Sequence, residues 1–144
     1  MPAQWTTTTP TSSLVAAAFS VRSGGADAAA LVTITPLAGE AGGLLANLNR
    51  WRTQVGLPAI GAVAEQPLTT VTVGDAGARI VDLAGPGEGS APARALIVAL
   101  LREPGSDRTW YVRLTGPATV VAAERDGFLG FVRSIRFAVD QDAK

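Results

Sequence analysis

The chain contains neither cysteine nor histidine, has a single methionine, and its only lysine is the terminal Lys144. Without histidine and cysteine, the commonest general base, the thiol nucleophile and the usual transition-metal ligands are all missing. Disulfides are excluded as well, which fits either the cytoplasm or an exported bacterial domain that does not use them. No apolar run approaches the length of about 20 residues that a membrane-spanning helix needs. Twelve basic residues balance twelve acidic ones, so the dominant basic surface of a nucleic-acid binder is absent. No phosphate loop, Gly-x-Gly-x-x-Gly turn, carboxylate pair or metal-ligand cluster occurs, and no cofactor is expected.

Apolar residues make up 47% of the 144 positions and are spread along the chain, as in a folded core rather than a disordered segment. A chain of this length buries about two-thirds of its unfolded surface in one domain. The basic residues are almost all arginine beside abundant Ala, Gly and Val, a high-GC bias that points to a bacterium and makes arginine alone a weak ligand signal. Met1-Pro2-Ala3-Gln4-Trp5 lacks the basic and apolar regions of a leader.

The most informative segment is Gly43–Pro58. Leu44, Leu45, Leu48, Trp51 and Val55 form one helical stripe, opposite a hydrogen-bonding face of Asn47, Arg50 and Gln54. Asn49, Arg52 and Thr53 lie beside that face, with Arg52 about 160° around the axis from Arg50. Gly56 followed by Leu57-Pro58 is a helix stop. Strands are expected at 14–21, 30–37, 68–73, 78–84, 94–102 and 109–114, the fifth apolar enough to be covered on both faces. A turn of helix is expected between Ile60 and Pro67, and loops at 22–27, 74–77, 85–92 and 104–107.

Thr115-Gly116-Pro117 opens a last helix, with Pro117 at its first position. Val121, Phe128, Val132 and Ile135 form its stripe, and Glu124, Arg125 and Asp126 are expected in water. Gly127 and Gly130 each weaken that helix by about 1 kcal/mol relative to Ala. The class is therefore α+β: an antiparallel sheet of about six strands packed with two main helices. Residues 1–12 are expected as an extended arm, 13–139 as a single domain and 140–144 as a frayed tail.

Leu44–Arg52, Val55–Pro58, Val81-Asp82-Leu83, Thr109–Pro117 and Phe128–Phe137 resemble an uncharacterised bacterial family. Its members are often exported or lipid-anchored proteins of high-GC bacteria. The pattern is also similar to the PsbP/Mog1 fold, an α/β/α sandwich. The resemblance implies a protein of the bacterial periplasm or one anchored to a membrane, with a leader absent from this chain. It supplies no reaction.

The candidate ligand-binding residues are Asn47, Arg50, Asp82 and Arg113, read as one polar cluster where the first helix crosses the sheet. Arginine forks match carboxylate and phosphate groups, while the plain alternative is a solvated face with local salt bridges. Two function classes follow. One is a non-enzymatic binding or interaction domain of the envelope, monomeric or weakly dimeric, with a protein or small-molecule partner. The other is a hydrolase-like enzyme using Asp82 as base with Arg50 or Arg113 on a small anionic substrate. Trp51 is expected in the core and not, with Trp110, in a stacking platform.

Overall fold

The computed structural model describes residues 5–8, 17–22, 29–38, 43–66, 68–73, 76–85, 93–102 and 108–135. The turns at 23–28, 74–75 and 103–107, the loop 86–92 and the tail 140–144 lie outside the described residues, as do most of positions 1–12. In chain order the elements are β1 (Trp5–Thr8), β2 (Ala17–Arg22), β3 (Ala29–Ala38), α1 (Leu44–Gln54), a 3-10 turn (Val63–Glu65), β4 (Thr69–Val73), β5 (Ala76–Ala84), β6 (Arg94–Arg102), β7 (Arg108–Pro117) and α2 (Ala118–Arg133).

The strands form one antiparallel sheet in the order β1-β2-β3-β7-β6-β5-β4. It comprises two meanders, β1-β2-β3 and β4-β5-β6-β7, zipped together where β3 pairs with β7 from Leu31↔Thr115 to Ala38↔Arg108. The six strands read from the sequence are present, and Trp5–Thr8 adds a short seventh at the edge beside β2.

Alternation of side chains along each strand sorts the core into two halves. On one face α2 lays Val121, Phe128 and Val132 over Ile80, Ile97, Ala99, Val112 and Leu114. On the other, α1 lays Leu48, Trp51 and Val55 over Val81, Leu96, Val98, Leu100 and Tyr111. The molecule is thus helix, sheet, helix in three layers. Strand β6 is buried throughout except at its terminal arginines, which is why its sequence is continuously apolar and does not alternate.

Helix α1 ends as its sequence dictates. Gly56 takes φ +84°, Leu57 N–H donates to Arg52 O at 2.8 Å and Gly56 N–H to Thr53 O at 3.1 Å. That is the Schellman pair of bonds, which needs a left-handed residue that glycine adopts without strain. The same end is pressed onto the sheet: a Cβ at Gly85 would stand 1.6 Å from Val55 O.

The last helix departs from expectation in two places. Pro117 finishes β7 and caps α2, so the helix starts at Ala118. Glu124, expected in water, is only 5% exposed. It lies three residues after Val121 and four before Phe128, so helical periodicity puts it within the buried stripe whatever its charge.

Candidate functional site

The two polar flanks of α1 do different work. On one flank, Asn49 Nδ2 donates to Ile60 O at 3.0 Å and Ile60 N–H returns to Asn49 Oδ1 at 2.7 Å. Beside it, Arg52 donates from Nε to Pro58 O at 2.7 Å and from Nη1 to Gln66 Oε1 at 2.6 Å. Gln66 is itself buried. These bonds fasten the connector 57–66 to the helix, and their polar groups are used up in doing so.

The opposite flank faces β7. Asn47, fully buried, accepts a hydrogen bond from Arg50 Nη2. One turn on, Gln54 Oε1 accepts from Arg113 Nη2 at 2.6 Å. Arg113 projects from β7 on the α1 side of the sheet, in register with Thr33 of β3 and Val98 of β6. Its Nε is buried with no hydrogen-bond partner. Burial, and secondarily the like charge of Arg50, lower its pKa from the ordinary arginine value, although a guanidinium stays protonated at any working pH. Among the described residues no carboxylate pairs with Arg50 or Arg113. Two cations therefore share a partly dry corner with only amide oxygens for company, and an incoming oxyanion would find donors already aimed and uncompensated.

Asp82 does not join them. Val81 and Leu83 point at α1, so the period of two sends Asp82 through to the α2 face. There Asp82 Oδ2 accepts from Arg125 Nε at 2.8 Å and pairs with Arg125 Nη2 at 2.7 Å. The expected four-residue cluster is corrected to Asn47, Arg50 and Arg113, with Gln54 as a member that the sequence reading left outside it. The arrangement of Asp82 as a base beside Arg50 or Arg113 is lost with it, since the sheet stands between them.

The tryptophans are likewise separated. Trp51 is 1% exposed and meets Tyr111 edge to face at 6.0 Å and 61°. Trp110 packs half-buried on the α2 face with the Arg108 guanidinium 6.0 Å from its ring, so the two indoles build no common platform. At the first turn of α1, on the same face as Arg113, a cleft of about 330 Å³ opens above β5, β6 and β7. Among the described residues no group of three or more acidic side chains is placed to hold a metal ion, and no helix is long and apolar enough to cross a membrane.

The sequence matches no protein-family model, and no curated protein matches it. Among solved structures, the fold is similar to the crystal structure of LpqN, described as involved in cell envelope biogenesis of Mycobacterium tuberculosis. The TM-score is 0.54 at 11% sequence identity, covering 92% of this chain and 77% of LpqN. At that identity the likeness is one of fold.

Proposed function

We propose that this chain is a non-catalytic binding domain of the bacterial cell envelope, and that Asn47, Arg50, Gln54 and Arg113 form its ligand-contacting corner for an anionic group on a protein or small-molecule partner. The observation that carries this reading is the buried Arg113 Nε–H without an acceptor, beside a second guanidinium and no facing carboxylate among the described residues. An orphaned buried donor costs about 1–3 kcal/mol, an expense that a ligand oxygen would remove. The envelope assignment rests on the fold shared with LpqN and on the exported, often lipid-anchored family that the α1 and β7 segments resemble. The helix–sheet–helix layering supports the α+β class of that resemblance.

The test uses the Arg113 Nε–H resonance as a direct reporter. Titration with glycerol phosphate at constant ionic strength is expected to shift it saturably, together with the Gln54 side-chain amide, and Arg113→Lys is expected to abolish the Gln54 response. An unmoved Nε–H signal at high ligand concentration overturns the site. Turnover of esterase, phosphatase or peptidase substrates that disappears on substitution of Arg50 or Arg113 overturns the non-catalytic reading.

A further inference from the structure

The sheet ends at β4 on one side and at the shorter β1 on the other. β4 pairs with β5 in an unbroken register from Thr69↔Ile80 to Val73↔Ala76. Val71 and Val73 face α2 and join its core, while Thr70 and Thr72 face the other way and are exposed. An edge strand turns every second N–H and C=O away from its neighbour. Among the described residues no backbone or side-chain group bonds to that outer row. Folded proteins blunt such edges with charged side chains, proline or a bulge. From Leu68 to Val73 the sequence has neither proline nor charge, and the pairing with β5 has no bulge.

Symmetry selects the occupant. Two copies related by a two-fold axis present the same patch to each other, so a charged edge would meet its own sign, and this edge carries none. A partner of unlike sequence is selected largely by opposite charge, for which β4 offers no handle. A five-residue strand overlaps an antiparallel copy completely only about its central residue, here Val71. That register sets Val71 against the partner's Val71 and Thr70 against the partner's Thr72. Residues 70 and 72 then oppose each other, as do 69, 71 and 73, so donors meet acceptors whichever set turns outward. The half-buried Val71 side chains cover each other on the α2 side, and the threonines pair on the other, a favourable cross-strand combination.

We infer that the outer edge of β4 is where two copies of this chain pair, antiparallel about Val71, joining their sheets into one. The two-fold axis then stands perpendicular to the sheet, which keeps both α1 layers on the same side. A contact made by one short strand and its flanking side chains is small beside a standard protein interface, so the association is weak and reversible.

The experiment is sedimentation equilibrium of the full chain at low ionic strength and up to about 1 mM protein, which reads dissociation constants into the millimolar range. The parent is expected to show a monomer–dimer equilibrium. Thr70→Lys, at an exposed position, is expected to raise the dissociation constant at least tenfold, because the two-fold brings both substituted side chains into the diagonal relation across the joint. Thr70→Glu is expected to do the same, and an equimolar mixture of the two variants to recover the dimer, with urea unfolding showing that both are folded. A parent that stays monomeric overturns the inference and leaves the edge to an extended peptide of another protein. Variants that dimerise as the parent does overturn it by placing the contact on another surface, β1 included. A mixture no more associated than either variant alone overturns the register about Val71 and the pairing built on it.

Discussion

Replacing Arg113 by Met should make the protein more stable while removing the ligand response. The guanidinium contributes three opposing terms. Its buried, unpartnered Nε costs about 1–3 kcal/mol. The nearby Arg50 charge adds repulsion, of the few-tenths size typical of partly hydrated like-charge neighbours. Against these stands the Nη2 bond to Gln54 Oε1, and because Gln54 is exposed its oxygen can turn to water, so that bond nets only about 0.5–1.5 kcal/mol. Met keeps most of the stem's packing against α1. The balance favours Arg113→Met by about 1 kcal/mol, or a melting rise of about 3 °C for a chain of this size. Urea unfolding of the parent, Arg113→Met, Arg50→Gln and the double variant measures it, and the gain from Arg113→Met should shrink in the Arg50→Gln background. The sign with pH follows from the lowered pKa: the penalty is constant through acid and neutral pH, and lifts only as pH rises through Arg113's own pKa in the alkaline range. Destabilisation of 1 kcal/mol or more by Arg113→Met, or gains identical in both backgrounds, would refute the reasoning and make the arginine structural.

Trp51→Ala should cost about 3–5 kcal/mol, since the indole is 1% exposed and packs on Tyr111; a melting point within two degrees of the parent would contradict its core role. Gly85→Ala should cost at least about 2 kcal/mol, because its Cβ would enter the Val55 carbonyl that α1 has fixed by its terminal bonds; denaturant midpoints unchanged within error would show that this helix end yields. Asp82→Asn removes an ion pair whose two side chains are 48% and 40% exposed, so stability should change by no more than about 1 kcal/mol and glycerol phosphate should bind as before. A changed anion response in that variant would bring Asp82 back to the site from across the sheet.

Local signals in the sequence carried most of the fold. The Gly56-Leu57-Pro58 stop is legible because a Schellman ending is written in three or four adjacent residues, and β6 because burial on both faces leaves no polar position between Arg94 and Arg102. Glu124 shows where residue type misleads: its charge argued for water, while its spacing from Val121 and Phe128 set it among the buried side chains. Pro117 allowed either reading, since a fixed φ near −65° suits both a first helical residue and the extended residue before it. Its observed ψ of 140° belongs to the strand.

The site was legible only in part, for a reason of distance along the chain. Arg50 reaches Asn47 within one helical turn, but Arg113 finds Gln54 across 59 residues and Arg125 finds Asp82 across 43, and no periodicity in either segment announces its partner. Alternation alone did fix which face each strand residue would take. Val81 and Leu83 had to share a face opposite Asp82, and Arg113 had to oppose Val112 and Leu114. The apolar residues then decide which helix covers which face, and that step separates Asp82 from Arg113. A formal charge of zero hides the result. The sheet divides these charges, leaving Asp82 with Arg125 on the α2 side, while Arg50 and Arg113 gather on the α1 side with no carboxylate pairing them among the described residues. Repulsion between Arg50 and Arg113 is tolerable only while water or an anion screens it. On the proposed reading, the Arg50–Arg113 corner is therefore where a negatively charged group would gain most.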